Sequence, residues 1–473
     1  MIGRHIALYF GSKGLAAIVN VVTMAVFVRM GGADTYGGFV LFTAIATIVY
    51  GVAMQWLRFS FFACYREDVG GNSMIAAYLV TQLVGLVLVG AALWLATAFG
   101  FVTATEAVGV GILVAGLACY DAMHEIARTR LHAGIVAIGV LVRSFLMIVL
   151  GVAAILMVGT ALSLALAVGL AHIGAAVALS ASIWRIGALR WQRSDMQQLL
   201  MYGRPLVPAF GFEAAGNQLD RLLLARLGNL AETGRYGAVS DLFRQLLIVA
   251  AEAIAGAYMA IARKHVIAGD RASAGEVLGQ AFLAYVALLT FIPLGFLQFS
   301  APILDLVFGA DLRVAVEPAL PLIIAASVVA VLRGYYFGQV VHILQHSRLL
   351  LVSTALHAAT VLAVGVLAIP QYGMVGAAAA LLLGNVVGCA AFLIAWRDNF
   401  VMRLPYGSAA VMVGLGLAAY FVSGFVAGGF ENAYAGLACG IVIFAIAALI
   451  AARRYNLLSF NALVDRIAKR ITA

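Results

Sequence analysis

The sequence predicts an all-α protein that crosses a membrane about fourteen times, and three observations carry that reading. Of 473 residues, 64% are hydrophobic and only 10% are charged. Mean hydropathy is +1.07. Unbroken apolar runs recur along the whole chain, each of about 20 residues, the length that crosses a ~30 Å hydrocarbon core as a helix. A soluble domain carries about a quarter charged residues, so this chain has too few polar side chains to coat a core. Disordered chains are charged rather than apolar. Outer-membrane barrels show alternating strands of ~10 residues, not long apolar runs. Inside lipid the backbone must satisfy itself, which makes the runs helices.

Breaking the chain at charges, Gly/Pro clusters and polar turns places the first six spans at about 12–30, 36–57, 74–99, 104–123, 134–158 and 162–184. The second six fall at about 205–225, 235–261, 279–300, 317–343, 348–369 and 374–396, and two more at 406–427 and 434–452. The first run, ending near Val28, passes straight into another hydrophobic segment without a small-residue cleavage site, so it reads as a retained span rather than a secretory signal. The expected domains are an N-lobe (1–186), a basic connector (187–204), a C-lobe (205–396), spans 13–14 (397–455) and an amphipathic tail (456–473). In that tail Leu457, Phe460, Leu463, Ile467 and Ile471 oppose Arg466, Lys469 and Arg470, the pattern of an interfacial helix on anionic headgroups.

Charge sets orientation. Of the 29 Lys and Arg, Arg143, Arg221, Arg244 and Arg333 lie inside spans, while Arg29, Arg226, Arg235 and Arg313 lie on one side. The remaining 21 lie on the other, which the positive-inside rule makes the cytosol together with both termini. The net charge of +9 is thus spread over loops rather than gathered into a nucleic-acid surface. The four cysteines, Cys64, Cys119, Cys389 and Cys439, are too scattered for a disulfide framework or a metal site and read as packing thiols.

An internal repeat follows. Arg29-Met30-Gly31, Tyr36-Gly37 and Leu41-Phe42 at the first hairpin recur as Arg226-Leu227-Gly228, Tyr236-Gly237 and Leu242-Phe243 about 200 residues later. Six spans per half give both halves the same orientation, a symmetry suited to lobes that rock about an axis along the membrane normal.

Three stretches then resemble the MOP superfamily of multidrug, oligosaccharidyl-lipid and polysaccharide flippases, in its polysaccharide-transporter branch. They are the first hairpin ending in Gln55-Trp56-Leu57-Arg58, the segment Gly203-Arg204-Pro205-Leu206 with Asp220-Arg221-Leu222-Leu223-Leu224, and Pro370-Gln371-Tyr372-Gly373-Met374-Val375-Gly376. The resemblance implies a flippase that carries undecaprenyl-diphosphate-linked oligosaccharide across the bacterial cytoplasmic (inner) membrane for polysaccharide or lipopolysaccharide synthesis. It also implies the bilayer and polysaccharide polymerase or ligase machinery as partners.

Such a cargo presents a double anion, and a charged side chain in the hydrocarbon costs ~2.5–3.5 kcal/mol on insertion scales. The arginines inside the spans and Arg58 at the cytosolic end of span 2 are therefore the candidates for a diphosphate and glycan cavity: Arg58, Arg143, Arg221, Arg244 and Arg333. A guanidinium stays charged and grips phosphate oxygens bidentately; the competing reading for each is an ion pair. Glu213, Asn217 and Asp220, at i, i+4 and i+7, share a face of span 7 and with Glu252 are candidates for ion coupling, or else partners of Arg244 and Arg221. Asp121–Arg130 reads as a charged interfacial anchor. His342 and His346, at i and i+4, lack a third ligand, so no metal is expected.

No phosphate-binding loop, nucleophile elbow or paired-carboxylate site appears, so neither an enzyme nor a cofactor is expected. A membrane glycosyltransferase or polymerase needs a long extramembrane loop, whereas the connectors here run to about 20 residues. Within the resembled fold, a cation-coupled multidrug exporter calls for a carboxylate-lined cavity, and a lipid II flippase stays open as an alternative.

Overall fold

The computed structural model describes residues 2–66, 71–183, 189–343, 347–396 and 404–460. They form helices joined by short turns, with no strand among the described residues. In chain order these are α1 (Ile2–Tyr50), α2 (Trp56–Cys64), α3 (Gly71–Ala98), α4 (Ala104–Thr129), α5 (Ala133–Met157) and α6 (Ala161–Leu179). Next come α7 (Arg193–Gly203), α8 (Val207–Gly216), α9 (Leu219–Leu227), α10 (Leu230–Ile267), α11 (Arg271–Gln298), α12 (Ser300–Val307) and α13 (Ala310–Val316). The chain closes with α14 (Leu320–Val331), α15 (Gly338–Ile343), α16 (Ser347–Trp396), α17 (Tyr406–Ala427) and α18 (Ala433–Arg454).

Eleven stretches are long and apolar enough to cross a membrane, two of them double length: Gly14–Cys64 and Arg348–Ile394. Each double stretch holds two helices meeting at one glycine, Gly32 (φ 78, ψ 166) and Gly373 (φ 52, ψ −128). A side chain is disfavoured there, because positive φ drives its Cβ into the backbone. The α8–α9 pair, broken at Asn217–Gln218, covers the expected seventh span and is not among those eleven stretches. The protein is an all-α polytopic membrane protein. Two expected loops, near 31–35 and near 370–373, shrink to one-residue kinks, since one left-handed glycine redirects a helix without a loop. The connector expected at 187–204 contains a helix, α7, whose Leu199 is fully buried. Most of the amphipathic tail (461–473), Arg185 in the basic segment, and Gln345 and His346 of the histidine cluster lie outside the described residues, as does the side chain of His342.

The chain gathers into two compact units. One comprises 1–239 with 354–384, the other 240–353 with 385–473, so each divide falls inside α10 and near the ends of the α16 segment 354–384. In the first unit, Leu57, Phe61, Ile75, Tyr78, Ala122, Ile126 and Leu199 form one cluster, and Tyr120, Ala127, Val136, Ala175 and Leu179 another, between α4, α5 and α6. In the second, Phe291, Phe299, Ala419, Phe444 and Ala451 join α11, α17 and α18. Lipid offers apolar side chains no reason to hide, and Leu83, Val87, Leu88 and Trp94 on α3 and Phe421 and Phe425 on α17 are exposed.

Two short wide turns interrupt this regularity: Gly51–Gln55 between α1 and α2, and Leu332–Phe337 between α14 and α15, both π-helical. Such turns mark positions where helix register is spent on aiming side chains. Each lies at or just before a candidate arginine.

Candidate functional site

In the first unit the wide turn at Gly51–Gln55 presents Arg58, on α2, to α4. Its Nη1 and Nε reach Asp121 Oδ2 and Glu125 Oε2, both at 3.3 Å. Tyr50 donates to the same Asp121 oxygen at 2.6 Å, and Arg128 donates to Glu125 Oε1 at 2.7 Å. Glu125 is fully buried. A desolvated carboxylate survives only when paired, and here two arginines supply the pairing. The stretch Asp121–Arg130, expected to anchor the chain at the interface, thus sends two of its carboxylates inward as the partners of Arg58.

One residue back on α4, Tyr120 holds Arg143. The Arg143 guanidinium lies 4.8 Å from the centre of the Tyr120 ring, and His172 of α6 stands edge-on to that ring at 5.6 Å. His172 Nδ1 is 2.8 Å from the Val168 carbonyl, which fixes the imidazole in place. His124 sits 5.6 Å from Tyr120 on its own helix. Along α5, the exposed Ile138, Leu141 and Phe145 mark a lipid stripe. At ~100° per residue, Arg143 lies about 140–160° round the helix from that stripe, so it faces inward. Its Nε is buried without a hydrogen-bond partner, and no described carboxylate lies within ion-pair distance. Consecutive residues of α4 therefore carry the two arginines in different electrostatic states: Asp121 and Glu125 neutralise Arg58, while Arg143 rests on an aromatic face with no described carboxylate in ion-pair contact.

Span 7 is not one unbroken helix. Asn217 does donate to Glu213 Oε1 at 2.8 Å, as i, i+4 spacing requires. The helix then breaks, and Asp220 begins a new segment in which it accepts from Tyr236 at 2.6 Å. The i, i+7 relation of Glu213 to Asp220 is thus counted across the Asn217–Gln218 interruption and not along one unbroken helix. Buried His357 of α16 packs on Gly216 at that break. Arg221 is buried beside Asp220, and Arg226 at the end of α9 pairs with Glu106.

In the second unit the wide turn Leu332–Phe337 buries Arg333, only 2% exposed, and its Nε donates to Asn385 Oδ1 at 2.9 Å. Tyr285 caps backbone around the same turn, lying 3.1 Å from both the Ala251 and the Tyr335 carbonyls. Arg244 and Glu252 are half-buried on α10. Because Arg333 and Asn385 are both buried, Arg333→Leu should destabilise the protein by about 1–3 kcal/mol, the worth of a charged hydrogen bond in the interior. Thermal unfolding of Arg333→Leu, Asn385→Leu and the double variant checks this. Coupling near zero between the two changes would show that the pair does not act as one. Among the described residues no group of His, Cys, Asp or Glu could hold a metal ion.

No protein-family model and no curated protein matches the chain. Solved structures do. It is similar to the lipid II flippase MurJ in an inward closed conformation, with 12% identity, coverage of 95% of this chain and 98% of that one, and a TM-score of 0.73. It is also similar to an inward-facing multidrug resistance MATE family transporter of the MOP superfamily, with 15% identity, 82% and 93% coverage and a TM-score of 0.54. The MATE transporter VcmN of Vibrio cholerae gives 15% identity, 84% and 97% coverage and a TM-score of 0.54. The chain has the fold of these transporters over most of its length.

Proposed function

We propose that the chain is a flippase of this fold, carrying an undecaprenyl-diphosphate-linked oligosaccharide from the cytosolic to the outer leaflet of a bacterial inner membrane. Both termini would lie in the cytosol. The observation that supports it best is Arg143: a cation deep in a span, turned from lipid, on an aromatic face, with no carboxylate partner among the described residues. Insertion of such a group costs ~2.5–3.5 kcal/mol, and the Tyr120 face offsets only part of it. An anionic cargo would offset the rest. Phosphate oxygens would accept from the edge N–H groups of Arg143, leaving the guanidinium face on Tyr120, while the polyprenyl chain stays in lipid. The site would face the cytosol to load and the outer side to release.

Similarity to a lipid II flippase at TM-score 0.73, against 0.54 for multidrug transporters, favours a lipid-diphosphate cargo over a small organic cation. It also makes lipid II itself the second reading. The test is purified protein in proteoliposomes holding undecaprenyl-diphosphate oligosaccharide or lipid II, with outer-leaflet glycan measured by a membrane-impermeant lectin or enzyme. Movement of the oligosaccharide lipid supports the proposal. Movement of lipid II alone selects the second reading, and movement of neither overturns both.

A further inference from the structure

The repeated hairpins pack on each other. On α1, the backbone at Gly37 lies so close to the Leu230 carbonyl of α10 that no Cβ fits, and a Cβ there would also stand 3.0 Å from the Gly234 nitrogen. Reciprocally, Gly234 abuts the Ala33 carbonyl, and its own Cβ would stand 2.9 Å from the Gly37 nitrogen. Three residues further in, Gly237 faces Val40. The flanking Tyr36 and Tyr236 are buried. A second tie lies nearby in the chain: Glu106, fixed at the start of α4 by a capping box with Thr103, pairs with Arg226 at the end of α9. All these residues belong to the first unit. They occupy the span ends that carry four of the cations rather than 21, the predicted outer side.

We propose that the Gly37–Gly234 crossing and the Glu106–Arg226 ion pair form a latch that shuts the outer ends of spans 2, 4, 7 and 8 and parts when the protein opens outward. The crossing supplies fit without adhesion: main chains meet through glycine, so separation breaks no side-chain interdigitation. The ion pair supplies a tie that water can take over. Arg226 is about half exposed, with side-chain exposure of 47%, so its guanidinium rehydrates as it leaves Glu106. The partners come from the first half (α1, α4) and the second half (α9, α10) of the repeat, so the latch joins the two copies. It is independent of what is carried.

A Cβ on Gly237 would stand 3.6 Å from that of Val40, within the ~3.5–4.5 Å that a disulfide spans. Val40→Cys with Gly237→Cys, in a chain whose Cys64, Cys119, Cys389 and Cys439 are alanine, should oxidise rapidly in membranes with copper phenanthroline. Adding Glu106→Arg should slow the reaction by up to about fivefold, the upper end for a partly exposed ion pair. Adding Arg226→Glu as well should restore it. A membrane-impermeant maleimide on the outer side should block bridging in the Glu106→Arg chain and not in its parent. The latch is overturned if no bridge forms, if Glu106→Arg leaves the rate unchanged, if the charge swap behaves like the single change, or if the maleimide blocks the parent equally. The readout is a bond rather than transport, so it stands whether or not the proposed cargo is right.

Discussion

Arg143→Ala should lower the initial rate of lipid-linked glycan movement by about 10- to 150-fold, the worth of one charged hydrogen-bonding group, ~1.5–3 kcal/mol, with thermal stability nearly unchanged. Both halves of the expectation come from the same geometry. Arg143 has no described carboxylate to abandon, so its removal leaves no buried anion. It also faces away from the stripe of Ile138, Leu141 and Phe145, so its role lies inside the protein rather than at the bilayer. Arg143→Lys should recover part of the rate, since an ammonium keeps the charge and loses the bidentate grip. Tyr120→Phe should be tolerated where Tyr120→Leu is not, because the ring face rather than the hydroxyl meets the guanidinium. Proteoliposome rates for the four variants, beside their unfolding temperatures, test the set; an Arg143→Ala protein that moves glycan at the parental rate refutes diphosphate capture at this arginine.

Arg58→Ala should do the opposite. It removes a partner of Glu125, which is fully buried, and of Asp121. Breaking one side of a buried pair costs about 3–5 kcal/mol because the remaining charge stays in low dielectric. Arg128 still pairs with Glu125, which sets the expectation at the lower end. The protein should unfold at markedly lower temperature in detergent, and Arg58→Ala combined with Asp121→Asn and Glu125→Gln should regain most of the loss. A stable Arg58→Ala protein with no transport would instead make Arg58 a ligand for the cargo. Two arginines that looked alike in the sequence are thus separated by what surrounds them: Arg58 meets two carboxylates, Arg143 an aromatic ring.

That separation marks what the sequence disclosed and what it withheld. The spans were legible because about twenty apolar residues in a row have one inexpensive structure in lipid. The kinks at Gly32 and Gly373 were legible as turns but not as single residues, since only backbone angles reveal how little chain a reversal needs. The partners of Arg58 were hidden by separation: Asp121 is 63 positions away, and periodicity reports neighbours on one helix, not across two. Tyr120, the support of Arg143, carried no signal either, because an aromatic residue in an apolar span looks like packing. The face assigned to Glu213, Asn217 and Asp220 depended on unbroken helical counting, and the pause at Asn217–Gln218 ends that count. Arg58, Arg143, Arg244 and Arg333 do fall within helices long and apolar enough to cross a membrane, because guanidinium among apolar residues is conspicuous in a sequence.

The π-helical turns give the last consequence. A helix that takes in one surplus residue advances its phase by roughly 100° beyond that point. Arg58 follows Gly51–Gln55 directly and Arg333 lies within Leu332–Phe337. The compass bearing of the Arg58 guanidinium is therefore dictated by an inserted step upstream, and returning that step to ordinary winding would swing Arg58 off Asp121. Azimuth, in that span, is a stored quantity that a local change of pitch can release.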